Sequence, residues 1–571
     1  MPLFDENSPM EYDAIVIGTG ISGGWAAKEL CEKGLKTLVL DRGRNVVHRR
    51  DYPTANDDPW DNQYRGQLSH QEMQHYPVQS RTGYITRPEH VHFFVKDTEH
   101  PYSEAAGTRF DWIRGYQVGG RSLVWGRQSY RWSEMDFEAN ARDGYGVDWP
   151  IRYRDIQAWY DYVERFVGVS GQNEGLSQLP DGQLLPPMEL NCVERELKKG
   201  IEANFSERLL TIGRTAHITG DQPIGTRGVC QSRNRCMRGC PYGAYFSSNS
   251  STLPAAEATG NMTLRPHSIA FEIIYDDAKG RATGVRVIDS QTKQTLDFKA
   301  RIIFCNASAI ASTWILLNST SRRFPQGMGN DSGELGHNIM DHHFKVGASG
   351  TYPGFEDRYY RGRRPNGFYI PRFQNLHPKT NRKDYLRGYG YQGSANRANW
   401  MRGIAEFGFG ADFKDQLFQP GPWQIGMTAF GEVLPYHDNY LSLDTERVDQ
   451  WGLPTIHFST TIRENERNMR KDMALAAAEM LEAAGFKDVS PYESPYGIGL
   501  GIHEMGTARM GRDPKTSVLN RWNQIHSVPN VFVTDGACMS SAACQNPSLT
   551  YMALTARAAD HAVRELKRMN L

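Results

Sequence analysis

The apolar positions of the chain fall into short runs separated by turn residues. The stretch "YDAIVIGTGISGGWAAKELCEKGLKTLVLDRG" opens with an apolar run from Ala14 to Ile17, passes through a glycine-rich turn into a helical span, and reaches a second apolar run, "TLVL". Short unbroken runs of this kind read as strands buried on both faces. Near the C-terminus, "VPNVFVTDGACMSSAACQNPSLTYMALTARAADHAV" predicts a strand, an Asp-Gly turn and a helix beginning near Pro547. Arg463 to Ala484 spaces its alanines and leucines as an amphipathic helix and reads as scaffold. No stretch approaches the roughly 18 apolar residues of a membrane-spanning helix, and no internal repeat or low-complexity tract breaks the pattern.

Composition narrows the class. At 571 residues the chain exceeds what one core ordinarily serves, so two domains or an interleaved pair are expected. Lys+Arg and Asp+Glu both number 65, and this balance gives no support to a nucleic-acid partner. Eight cysteines are too few for a disulfide scaffold. The first residues, "MPLFDENSPMEYDAIVIG", lack a basic segment followed by an apolar run, so no signal peptide is expected there.

The glycines supply the first chemistry. Gly18, Gly20 and Gly23 form G-x-G-x-x-G between strand and helix. The first permits a tight turn, the second a close approach by a pyrophosphate, the third close packing of helix on strand. Asp41 ends the second strand, 23 residues after Gly18, where its carboxylate suits ribose hydroxyls. This predicts dinucleotide binding without choosing between FAD and NAD.

Later segments make that choice. "RGYQVGGRSLVWGRQSYRW", "HEMGTARMG" and the C-terminal strand–turn–helix, taken with the first fingerprint, resemble the glucose-methanol-choline (GMC) oxidoreductases, which depend on FAD; "ARIIFCNASAIASTWILLNS" and "GELGHNIMDHH" look like mid-chain landmarks of that family. The resemblance implies an α/β plus α+β fold: a Rossmann-like FAD-binding domain interleaved with a substrate domain on a mostly antiparallel sheet with helices. The FAD-binding part is expected at 10–50, 105–135, 211–320 and 500–571, and the substrate-binding part at 51–104, 136–210 and 321–499, with its sheet drawn from about 340 to 440. On the same resemblance Gly119, Gly120, Ser122, Asp535 and Gly536 line the cofactor, and the helix after Pro547 points its positive end at the flavin. Some relatives bond FAD through a histidine where this chain has Val124, so non-covalent FAD is expected.

Oxidising an alcohol by hydride transfer requires a base for the hydroxyl proton, and a neutral imidazole suits that task near pH 7. A lone histidine is ordinarily structural. His503 in "HEMGTARMG" matches the family's catalytic base, and Asn546 in "CQNPSLT" matches a position held there by histidine or asparagine. Asparagine donates and positions but does not titrate. His342 and His343 are read as structural or supporting residues.

"CQSRNRCMRGCPYGA" places Cys230, Cys236 and Cys240 within eleven positions, in a loop at 230–244. A disulfide leaves one cysteine over, and structural zinc prefers four ligands, with no fourth nearby in sequence. Clustered thiolates in a loop ending Cys-Pro suit iron–sulfur ligation, and a branch of the family, the multi-subunit bacterial sugar dehydrogenases, has this spacing for a 3Fe-4S cluster. A loop without metal stays open beside it. Arg233, Arg235 and Arg238 are expected either to offset cluster charge or dock an acceptor, or to form a solvated basic face.

The resemblance is closest to catalytic subunits of glucoside 3-dehydrogenases, with glucose 1-dehydrogenase and gluconate 2-dehydrogenase as alternatives and a non-catalytic flavoprotein assembly or scaffold subunit as a different class. It implies a small companion subunit that aids export, a c-type cytochrome or other one-electron acceptor, and a periplasmic, membrane-associated complex, with a cytoplasmic enzyme as the alternative. "EDRYYRGRRPNGFYI" and "GSANRANW" are candidate sugar-contacting stretches.

Overall fold

The computed structural model describes the chain apart from residues 1–10, 59–60, 84, 86, 359–365 and 399–407. Glu11–Ile17 lies between two parallel partners, Thr37–Leu40 with Ala14 opposite Thr37, and Thr295–Cys305 with Tyr12 opposite Ala300. Met262–Arg265 continues the sheet beyond Thr37–Leu40, and Val528–Phe532 and Gln524–Ile525 continue it beyond Thr295–Cys305; the hairpin Ser268–Asp276 with Arg281–Asp289 completes eight strands. Alternate residues of the first strand serve different cores. Ala14 and Val16 pack with Ala26, Ala27 and Leu30 of helix Ile21–Glu32 and with Ala558 and Val563 of helix Ser548–Lys567. Ile15 and Ile17 enter the larger core around Phe110, Trp132 and Trp149. Burial on both faces is why the run shows no polar alternation.

A second, six-stranded sheet is antiparallel throughout, in the order Lys487–Glu493, Val346–Tyr352, Trp423–Gly431, Tyr389–Arg397, Phe368–Ile370, Thr211–Ile212. One face presents Tyr391, Ala395, Ile425, Met427 and Ala429 to Met469, Met473, Ala477 and Leu481 of helix Glu464–Ala483, and to Val193, Leu197 and Ile201 of helix Cys192–Asn204. The long helix keeps to the expected span, with Arg463 and Ala484 as its caps.

The sheet reaches past the expected 340–440 at both edges. Thr211–Ile212 is too short to show a period and pairs with Phe368–Ile370 rather than with the dinucleotide-binding sheet. Lys487–Glu493 is a mostly exposed polar edge strand, which lacks the apolar pattern that marks strands in sequence. A third sheet, Tyr440–Val448, Pro454–Ser459 and Ser103–Glu104, was not expected. Parts of the two candidate sugar stretches, 359–365 and 399–400, lie outside the described residues. No helix among the described residues is long and apolar enough to cross a membrane.

Candidate active site

The glycine loop divides its tasks sharply. A Cβ on Gly18 (φ +95°) would stand 2.3 Å from the Asn306 carbonyl oxygen, and one on Gly23 would stand 2.0 Å from that of Gly18, so Gly18 lets the loop close on the end of strand Thr295–Cys305 and Gly23 lets the helix close on the loop. A Cβ on Gly20 would meet nothing within 4 Å. It opens instead on a cavity of about 570 Å³ lined by Gly18, Gly20, Asp41, Gly120, Ser122, Asp535 and Gly536, with His503 and Asn546 in the same wall. Gly23, Gly119 and Pro547 stand just behind that lining. The Gly119 N–H donates to Thr19 Oγ1 at 2.8 Å, and Pro547 caps helix Ser548–Lys567, whose first residue faces the cavity.

The wall is fitted for a flavin dinucleotide. Helix Ile21–Glu32 begins at the glycine loop, where its first N–H groups favour phosphate. Asp41 is fixed by the Gly43 N–H at 2.9 Å and the Thr19 hydroxyl, while burial pushes its pKa up. Asp535 accepts from Ser312 Oγ at 2.6 Å and the Ala537 N–H at 3.0 Å, and burial pushes it up to about 6. Asn306 Nδ2 and the Tyr551 hydroxyl line the same space without a partner among the described residues. Buried donors of that kind call for a ligand acceptor. Neither was singled out from the sequence, although Asn306 lies within "ARIIFCNASAIAS". Val124, also in the wall, is an alkyl side chain with no atom for a covalent link.

At the far end, His503 and Asn546 meet: Asn546 Nδ2 lies 3.5 Å from His503 Nε2. His342 decides which ring nitrogen carries the proton. Its Nε2 faces the Ala542 carbonyl oxygen at 3.1 Å, an atom that only accepts, so Nε2 holds the hydrogen. In the neutral ring Nδ1 is then an acceptor, and His503 Nδ1 donates to it at 2.9 Å. That leaves the His503 Nε2 lone pair as an acceptor, met only by the long 3.5 Å contact from Asn546 Nδ2. Burial, then His342 and Arg121, lower the His503 pKa well below its ordinary value, so the ring is neutral. Gln392, from the six-stranded sheet, donates to Asn546 Oδ1 and holds the amide with its NH2 toward His503.

The loop bearing His503 is pinned from below. Asp341 accepts from the backbone N–H groups of Gly499, Gly501 and His503 at 2.7, 2.9 and 3.0 Å. Burial, reinforced by Glu504, pushes the Asp341 carboxyl up to about 7. Glu504 itself takes both forks of Arg121, at 3.1 and 2.7 Å, which ties the loop to the Gly119–Ser122 turn. His343 stacks on Tyr496 instead, at 5.8 Å, and serves packing.

Cys230, Cys236 and Cys240 are free, part-exposed thiols. Among the described residues no group of three or more His, Cys, Asp or Glu is arranged to hold a metal ion, so geometry does not carry the expected ligand triad. The fold does bring a histidine close, which sequence spacing hid: His217 Nε2 lies 4.0 Å from Cys236 Sγ. Met237, between the second and third cysteines, lines the large cavity. The three arginines also have a local structural task. Arg233 donates to Ala55 O at 2.8 Å, Arg235 to Asn56 O at 2.8 Å and Arg238 to Asp57 O at 2.8 Å, so they clamp the loop onto residues 55–57.

The description "GMC oxidoreductase" matches residues 12–344 and again 435–555. A 2-methyl-1,2-propanediol dehydrogenase of Mycolicibacterium austroafricanum is 27% identical, across 97% of this chain and 95% of the relative. A fructose dehydrogenase large subunit of Gluconobacter japonicus is 26% identical, across 98% and 99%. Among solved structures, a formate oxidase variant of Aspergillus oryzae superposes with a TM-score of 0.61 at 13% identity, over 98% of this chain and 99% of that one, a likeness of fold. The two matched stretches take in the glycine loop at one end of the cavity and His503 with Asn546 at the other: the chain belongs to the GMC oxidoreductase family and is an FAD-dependent dehydrogenase of alcohols or sugars.

Proposed function

We propose that the enzyme oxidises a sugar hydroxyl, the C3 hydroxyl of a glucoside or disaccharide, to the 3-keto sugar. The observation that carries the chemistry is the unprotonated Nε2 of His503 in the cavity wall, met by the Asn546 amide at 3.5 Å. His503 Nε2 takes the hydroxyl proton; Asn546 Nδ2 donates to the same oxygen and fixes the carbon that loses hydride; Gln392 holds Asn546. FAD, when bound, supplies the hydride acceptor. A sugar is favoured by the relatives named fructose dehydrogenase large subunit and gluconate 2-dehydrogenase flavoprotein. A small vicinal diol is the second reading, favoured by the diol dehydrogenase among the relatives. Glucose 1-dehydrogenase and gluconate 2-dehydrogenase activities are rivals within the sugar reading. An ordered base and donor would have no task in a non-catalytic scaffold.

The thiol loop is proposed as the electron outlet, with Cys230, Cys236 and Cys240 holding a 3Fe-4S cluster that would supply one-electron transfer to a partner. Three features support it. The loop forms cavity wall through Met237. Burial lowers the Arg227 pKa to about 10, and Cys240 acts in the opposite sense, as an anionic neighbour does. Arg127, 3% exposed in the cavity wall, leaves Nε and Nη1 without partners among the described residues, a cation suited to an anionic neighbour. A companion subunit, a c-type cytochrome acceptor and a periplasmic, membrane-associated complex complete the proposal. The test is NMR identification of products from methyl glucoside, glucose and a vicinal diol with a dye acceptor. A keto group at C3 of both sugars is expected; lactone from glucose, or turnover of the diol alone, would overturn the assignment.

A further inference from the structure

A separate groove of about 390 Å³ lies on the six-stranded sheet, lined by Ser349, Thr351, Ser394, Asn396, Gln424 and Asp488 over a floor that includes Gly426. Strand register puts it on the same face as the active site. Gln392 pairs with Thr428, Ser394 with Gly426 and Asn396 with Gln424, and Gly426 pairs in turn with Ser349. Paired and alternate residues point to one side of a sheet. Gln392, which holds Asn546, therefore stands on the same face as Ser394 and Asn396, about 7 and 13 Å along the strand at roughly 3.3 Å per residue.

The floor is open for no structural reason. Glycine weakens a strand interior and marks places where another group approaches closely. Among the described residues a Cβ on Gly426 would meet nothing within 4 Å, and its φ is not left-handed, so neither crowding by them nor backbone strain demands glycine there. The polar lining among the described residues is hydroxyls and amides with one carboxylate, Asp488, and no Lys or Arg. Such a set exchanges hydrogen bonds with a neutral polyol and offers nothing to a phosphate or sugar acid. Asn396 and Ser394 are already aligned, with Asn396 Nδ2 donating to Ser394 Oγ at 3.1 Å, and Thr351 Oγ1 donates to Asp488 at 2.7 Å.

We propose that this groove is the subsite for the second ring of a disaccharide whose first ring is oxidised at His503. The inference rests on the sugar reading above. It selects linked sugars over free ones through contacts remote from the reacting carbon.

Two variants test it. Gly426→Tyr fills the groove from an uncrowded strand position, and Asn396→Ala with Gln424→Ala strips amides from exposed positions. Flavin absorbance reports folding, and kcat/KM is measured for a disaccharide and for methyl glucoside. The ratio of the two is expected to fall about tenfold in each variant, the loss of one or two hydrogen bonds. A ratio within twofold of wild type, or an equal fall for both substrates, overturns the subsite. If Gly426→Tyr fails to bind flavin, the double variant decides alone. Wild-type enzyme that oxidises neither sugar strikes the sugar reading instead, a result distinct from an unchanged ratio.

Discussion

The proposed role of His503 as base rests on what stands behind it. The chain from Ala542 carbonyl to His342 to His503 sets one tautomer and aims the lone pair at the cavity. His503→Ala is expected to lose about 10²–10⁴ in kcat while retaining flavin, the usual range for a general base. His342→Ala leaves the His503 Nδ1 hydrogen without its acceptor, and kcat should fall about 10²-fold with KM little changed. Steady-state dye reduction with flavin quantitation checks both; a His342 variant at wild-type kcat would show that His503 needs no support. The pH dependence follows from sign. A lowered imidazole pKa means the base form is already present in mildly acid solution. Asp341→Asn removes the nearby carboxyl that burial pushes up to about 7, at the loss of at least one of the three backbone contacts that pin the His503 loop, so kcat itself falls. In that variant kcat/KM should stay flat from pH 6 to 8, whereas a step near the ordinary imidazole value of about 6.5 would mean a solvated His503. His503 and Asn546 were legible as motif residues. His342 was seen only as a supporting residue, because its partner lies 161 positions away and no local pattern links them.

At the scale of elements, turns and loops position the chemistry. Gly20 and Gly23 belong to one motif yet meet opposite surroundings. Gly23→Ala should destabilise the apoprotein, since its Cβ would enter the Gly18 carbonyl 2.0 Å away. Gly20→Ala should leave apoprotein melting close to wild type and weaken FAD retention, because its Cβ occupies only the open cavity. Melting curves with and without added FAD separate the two; equal effects would contradict the division of tasks. The glycine motif was readable because its spacing is local. Asp341, which pins the His503 loop through three backbone amides, was not, since a carboxylate accepting from a distant loop leaves no periodic trace.

For the whole molecule, one cavity joins the glycine loop, the Gly119–Ser122 turn, the His503 loop and Gln392 of the second sheet. Catalysis therefore depends on the docking of two sheets that share no strand. The thiol loop touches this same space through Met237. On the proposed cluster, Cys236→Ser is expected to lower bound iron and slow reduction of a one-electron protein acceptor severalfold, while substrate still bleaches the flavin in a single turnover. Iron-free wild-type protein, isolated anaerobically, would remove the cluster from the proposal. The sequence by itself determined the dinucleotide-binding unit, because its glycine spacing is local and backbone geometry requires it; the flavin and the expectation for His503 and Asn546 came from resemblance of several motifs to the family. Only the tertiary structure decided the His503 tautomer, the clamp made by the thiol-loop arginines, the edges of the second sheet and the groove over Gly426. Those depend on which distant residues share a face, and that is set by strand pairing and packing rather than by order along the chain.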